Sequence, residues 1–188
     1  MTQQVLYSTT TAQVLQWQDT EQLNYNPAPP NTATLAVTPT QWGNQAGEWW
    51  VVNGELTQTD PNAPTAAQLL AQAQAAQIAM LYQAYQQAIQ QSVSYTSKGG
   101  VTKTYQADAG SLAKLQSRLL AFSATQTVPS GFYWVAADNT QVPFTYADMQ
   151  GLAQAIGAQD EAAFQHLQTQ KAAVKAATTV SAVQAVTW

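Results

Sequence analysis

The segment Thr59-Asp60-Pro61-Asn62-Ala63-Pro64 is the strongest constraint on what this chain can fold into, because the hydrophobic pattern changes period across it. Before it, short β-prone runs alternate with turn residues. After it, apolar residues recur at about 3.6 positions, the helical period. This division predicts an α+β protein. Residues 1–60 read as a small Trp-rich β-hairpin module, 61–91 as a connecting Gln/Ala helix, and 92–188 as a small antiparallel sheet packed with helices.

In the first module, Val5-Leu6-Tyr7 and Val14-Leu15-Gln16-Trp17 read as a hairpin with a loose turn. Asn26-Pro27-Ala28-Pro29-Pro30-Asn31 reads as an extended linker, since proline removes donors and restricts the preceding residue. Glu48 to Gln58 carries the clearest hairpin signal: Asn53-Gly54 supplies the positive φ angles of a type I′ turn between Trp49-Trp50-Val51-Val52 and Glu55-Leu56-Thr57.

Thr65 with Gln68 has capping-box spacing and opens a helix to about Gln91, with Leu70, Ile78, Leu81, Tyr85 and Ile89 as its buried line. Gly99-Gly100 joins two β-prone runs around Tyr95 and Tyr105. Asp108 is placed to cap a helix whose stripe is Leu112, Leu115, Leu119 and Phe122. Phe132 to Val135 reads as a strand, Asp138-Asn139 as a turn, and Gln141 to Phe144 as the partner strand. Thr145 with Asp148 again has capping-box spacing. The helix it opens carries Met149, Leu152 and Ile156, and Gly157 is expected to stop it. Asp160 and Glu161 would then begin another helix through Phe164, Leu167 and Val174. A final short helix spans Val180 to Val186, before Trp188.

Composition narrows the chemistry. The 188 residues include no Cys and one His, which removes disulfides, thiolate zinc sites, Cys nucleophiles and any multi-His metal site within one chain. Charged residues make up 9%, against about 25% in an average globular protein, and 29 Gln supply much of the polar surface. A net charge of −4 with six Lys and Arg argues against a nucleic-acid partner. No apolar run reaches the roughly 18–20 residues of a membrane span. Met1-Thr-Gln-Gln has neither a basic nor an apolar region, so no secretory leader is expected.

From about Ser92 to Trp188 the chain resembles a small α+β domain of bacteriophage tail and tail-fibre proteins. The shared landmarks are the Gly-Gly hairpin closing on Tyr105-Gln-Ala-Asp108, the Trp134…Asp138-Asn139…Val142…Thr145-Tyr-Ala-Asp148 segment, the closing helices and Trp188. The N-terminal part resembles leader modules of tail-fibre and fibre-assembly proteins at Val5-Leu6-Tyr7, Leu15-Gln16-Trp17, Asp19-Thr20, Gln41-Trp42 and the Trp50…Asn53-Gly54 hairpin. The resemblance implies a structural place in a tail at baseplate, tail-fibre or tail-tip level, attaching or terminating the host-recognition apparatus. It implies other tail proteins as partners, a homo-oligomer (a trimer along a fibre), and residence in the virion, with host cytoplasm during assembly. Two alternatives stand beside it: a non-virion fibre-assembly chaperone, and a carbohydrate-binding module for cell-surface glycan. The family pattern carries no catalytic residues.

No enzyme, cofactor or metal is expected. His166 has no paired nucleophile at a known spacing. Asp60, Asp108, Asp148 and Asp160 stand at turns and helix starts, where capping explains them better than a glycosidase pair would. The candidate partner-interface residues are Trp17, Trp42, Trp49 and Trp50. Trp49 and Trp50 are adjacent on a strand, so they point to opposite faces, and one is left at the surface.

Overall fold

The computed structural model describes residues 3–25 and 27–188. Met1 and Thr2, part of the start expected to lack a leader, and Asn26, which opens the expected linker, lie outside them. The protein is α+β, and the chain divides into two compact units at Thr65/Ala66. Among the described residues no helix is long and apolar enough to cross a membrane.

The first unit is built on a three-stranded antiparallel sheet in the order β2-β1-β3, from β1 (Gln3–Ser8), β2 (Val14–Asp19) and β3 (Thr32–Ala36). Sequence reading missed β3, whose Thr and Ala residues give only a weak strand signal. The register opposes Tyr7 to Val14 and Leu6 to Gln16, so Leu15 is the extra residue of a bulge and is exposed. Residues across a ladder share a face. Val5, Trp17 and Leu35 therefore lie on one face, and Gln4, Leu6, Gln16, Gln18 and Thr34 on the other. Both Val5 and Leu6 are buried, so the central strand is covered on both sides.

A one-turn helix, α1 (Pro39–Trp42), follows. It forms because Thr38 and Gln41 make a reciprocal capping box and Pro39 fixes the first helical φ. The Asn53-Gly54 hairpin then pairs β4 (Trp50–Val52) with β5 (Glu55–Thr57), with φ of 53° and 80° at the two turn residues. Backbone bonds from Val14 N to Trp49 O and from Val51 N to Ala12 O hold this hairpin to the start of β2.

The second unit contains the long helix α2 (Ala66–Ala88), which begins directly after Thr65. It also has two hairpins, β6 (Val93–Thr96) with β7 (Thr102–Tyr105) and β8 (Tyr133–Val135) with β9 (Gln141–Pro143), and the helices α3 (Ala109–Ala121), α4 (Tyr146–Ala176) and α5 (Val180–Gln184). Two apolar clusters organise it. The first joins both hairpins, α3 and the start of α4 around Tyr105, Leu115, Val142, Phe144, Met149 and Leu152. The second joins α2, the end of α4 and α5 around Leu81, Leu167, Val174 and Val183.

Two expectations are corrected here. Gly157 does not end a helix: α4 runs unbroken for 31 residues. Gly157 is not among the positive-φ residues that a glycine cap requires, and its Cα faces open space. A glycine in an exposed helix interior costs about 1 kcal/mol relative to alanine. The buried residues on both sides, Ile156 and Leu167, outweigh that cost. Asp160 and Glu161 consequently sit in mid-helix rather than at a helix start. The Gln/Ala helix α2 packs on α4 and α5 within the second unit.

The thin apolar stripe of α2 is supplemented by glutamine. Gln74 Nε2 donates to the carbonyls of Val174 and Ala177 at 3.3 and 3.1 Å, where α4 ends. Gln159 Nε2 on α4 in turn reaches the carbonyls of Ala88, Ile89 and Gln91 at 3.1, 3.4 and 2.8 Å, where α2 ends. The two antiparallel helices thus donate side-chain amides to each other's C-terminal carbonyls, of which those of Ala177, Ile89 and Gln91 have no backbone donor among the described residues. Gln77, itself buried, donates to Val186 O beyond α5.

Candidate functional site

The tryptophans of the first unit gather on one face. Trp17 projects from β2 on the Val5–Leu35 side. Its ring meets Trp42, held by the α1 capping box, and Trp49, from the approach to the Asn-Gly hairpin; both ring centroids lie 6.1 Å away, with interplanar angles of 72° and 84°. Edge-to-face contacts of this kind are the favoured geometry of aromatic pairs. All three rings are half-buried. Trp49 donates its indole N–H to Ala46 O at 3.2 Å, and Gln58 donates to the same carbonyl, which fixes the loop that carries it. Trp50 points the other way and is 8% exposed, part of the core with Val51. Of the four candidates, Trp17, Trp42 and Trp49 therefore form one half-open aromatic surface, and Trp50 is a core residue. The sequence contained the strand alternation that separates Trp49 from Trp50. It contained no signal for the grouping of the other three, which depends on α1 and the hairpin folding back onto β2.

Among the ten carboxylates, Asp60, Asp108, Asp138, Asp148 and Asp160 accept hydrogen bonds that brace turns and helices. Asp108 caps α3, accepting from Gly110 N and Ser111 N at 2.9 and 3.0 Å. Bonds from the Ser111 hydroxyl and backbone lower its pKa. Asp138 accepts from Lys103 Nζ at 2.7 Å, and this contact with Thr140 holds its carboxyl well below the usual range. Asp160 accepts from the Tyr85 hydroxyl at 2.7 Å; that bond, with burial, pushes the phenol up to about 12. Asp60 accepts from Asn62 N at 2.8 Å in the inter-unit segment. His166 is exposed and stands edge-on to Trp188, with ring centroids 4.8 Å apart. Among the described residues no group of three or more His, Asp or Glu could hold a metal ion.

Asp148 does more than close a capping box, and the rest of its role was not legible in the sequence. It is 1% exposed. One oxygen accepts from Thr145 N and Oγ1 at 2.8 and 2.6 Å; the other accepts from Lys98 N at 2.6 Å and Tyr95 Oη at 3.4 Å. It therefore fastens the Gly-Gly turn of β6–β7 to the start of α4. Burial alone would raise its pKa, but the bonds from Thr145, Lys98 and Tyr95 outweigh that and lower it. Gly151, one turn on, leaves room for the Tyr95 ring: a Cβ there would come within 2.7 Å of Tyr95 Cε2.

No curated protein and no solved structure matches the chain. Residues 72–187, more than half of the sequence, match a family described as a domain of unknown function, DUF4376. The match begins inside α2 and takes in both apolar clusters of the second unit. Most of the helix expected to be a connector thus falls within the family match, and the chain belongs to the DUF4376 family.

Proposed function

We propose that the protein is a structural component of a phage tail, acting at baseplate, tail-fibre or tail-tip level to attach or terminate the host-recognition apparatus. The observation that carries this reading is the half-open cluster of Trp17, Trp42 and Trp49. Rigid indoles bury large area at low entropic cost, which suits a contact with another protein. The resemblance of both parts of the chain to tail-fibre-associated modules supplies the setting. The second unit, a DUF4376 domain, would be the body held in place by the first, in a homo-oligomer alongside other tail proteins.

Mass spectrometry of purified particles tests the reading. The expected result is the protein in stoichiometric amount in intact virions, with Trp49→Ala folded but depleted from them. Absence from particles, with fibres that fail to assemble without it, would replace the structural reading with that of a chaperone. Normal incorporation of the Trp49 variant alongside its binding loss on a glycan array would replace it with a carbohydrate-binding module.

A further inference from the structure

A second contact surface lies in the second unit, along the outer edge of β8. The β8–β9 sheet has only two strands; just past β8 its outer edge meets β7, where Ala137 N donates to Thr104 O at 2.8 Å, while among the described residues Tyr133 and Val135 have no backbone partner on that side. Phe144 N donates to Phe132 O and Ala136 N to Thr140 O, flanking the Trp134–Val142 pair. Hydrogen-bonded pairs alternate in an antiparallel ladder, so Tyr133 and Val135 direct their backbone groups away from β9. Beside that strand lies a cleft of about 450 Å³ bounded by α3 and by Gln106 after β7. Its strand wall is made of consecutive residues, Gly131 through Val135. A cavity on one face of a strand would be lined by alternate residues, whereas a cleft along an edge is lined by successive ones. The opposite wall carries Lys114 and Arg118, both exposed. Neither has an ion-pair partner among the described residues, while Lys103 is engaged by Asp138. Two of the six cations of an otherwise acidic chain thus stand over the outward backbone of Tyr133 and Val135.

We infer that this cleft docks an extended acidic segment of a partner protein by strand addition to β8. An added strand would pair its main chain with Tyr133 and Val135, the source of affinity in this binding mode, and its alternate side chains would face Lys114 and Arg118. Four helical residues advance about 6 Å. That is close to the roughly 6.6 Å between alternate side chains of a strand, so acidic residues two apart suit the cation pair. An acidic saccharide would need an open ring face to stack on. Trp134 is half-buried and already stacked on Phe144, with centroids 6.5 Å apart and an interplanar angle of 25°, which leaves the exposed Tyr133 as the ring a saccharide would use, and the titration below includes one. The cleft belongs wholly to the second unit, and its occupancy is independent of the tail assignment.

The test uses the full chain, isotope-labelled, titrated with an end-blocked heptapeptide of alternating glutamate and valine. Binding should shift the amide resonances of Tyr133 and Val135. The double variant Lys114→Ala, Arg118→Ala should raise Kd by about tenfold or more. The same peptide with lysine for glutamate, or N-methylated at alternate residues, should not bind. Equal binding of the N-methylated peptide would remove strand pairing and overturn the inference, as would equal binding of the lysine peptide or no shift at all. Binding of oligogalacturonate in place of the peptide would make the cleft a saccharide site. Self-association of the protein that is lost in the double variant would make a second copy the occupant.

Discussion

The aromatic clusters of the two units are used in opposite ways. Beneath α3 and α4 of the second, four rings are turned inward: Tyr105 and Phe144 are buried, 5.3 Å apart, with Tyr95 and Trp134 packed around them. In the first, Trp17, Trp42 and Trp49 cover one another and remain half exposed. The difference lies in what covers the sheet. The hairpins of the second unit lie beneath helices of 13 and 31 residues. The first unit has only the four-residue α1, so its indoles must serve as both cover and surface. A small sheet without a helix over it needs some other apolar layer to be stable, and an incomplete layer leaves a face for a partner.

The contrast makes testable statements, beginning with the largest effect. Trp50→Ala should cost the first unit about 3–5 kcal/mol, as truncation of a buried aromatic does. Because each unit has its own core, the helical signal of the second should survive in circular dichroism, and protease should cut near 59–65 to release it. Trp49→Ala should cost about 1 kcal/mol, the size of an aromatic pair contact. Equal losses at the two positions would mean that the cluster is core and that the contact surface lies elsewhere.

Next, Asp148→Ala should destabilise the second unit by about 2–4 kcal/mol, combining a lost cap with orphaned buried donors. The folded-state pKa of Asp148 lies below its unfolded value, so its stabilisation is present above the unfolded pKa of about 3.9 and disappears as pH falls through the folded one. Urea melts of wild type should therefore weaken below about pH 4. Asp148→Asn should show a flatter acid limb; an unchanged limb would assign the acid sensitivity to other carboxylates.

The two glycines of α4 should respond with opposite signs. Gly151→Ala presses a methyl group into the Tyr95 ring and should cost about 1–3 kcal/mol, as overpacking does. Gly157→Ala enters open space and should add about 0.5–1 kcal/mol through helix propensity. Thermal melts of the pair decide it, and destabilisation by Gly157→Ala would show that the helix needs the glycine there.

The smallest expected change is at the amide caps. Gln159→Ala should cost about 1 kcal/mol, the net worth of one hydrogen-bonding group. Gln159→Glu should cost more at neutral pH, because a carboxylate only accepts and would face the carbonyls of Ala88, Ile89 and Gln91. If Glu is tolerated as well as Ala, the capping is incidental and apolar packing alone holds α2 to α4.

What the sequence determined by itself was local. The Asn53-Gly54 turn, the Gly-Gly hairpin, the Asp108 and Thr145 caps and the Leu112–Leu115–Leu119–Phe122 stripe depend on neighbours a few residues away, where propensity and capping chemistry decide. The separation of Trp49 from Trp50 was also legible, because alternation along a strand is a local rule. Tertiary structure decided the rest. Gly157 lies within a continuous helix because buried residues on either side hold it there. Gln74 and Gln159 are caps because two helices run antiparallel, and a glutamine carries no local sign of that use. The grouping of Trp17 with Trp42 and Trp49, the fastening of Lys98 and Tyr95 to Asp148, and the cleft between β8 and the Lys114–Arg118 side of α3 all join residues far apart in sequence. Such contacts form only when the cores that bring those segments together have formed, and local patterning does not encode them.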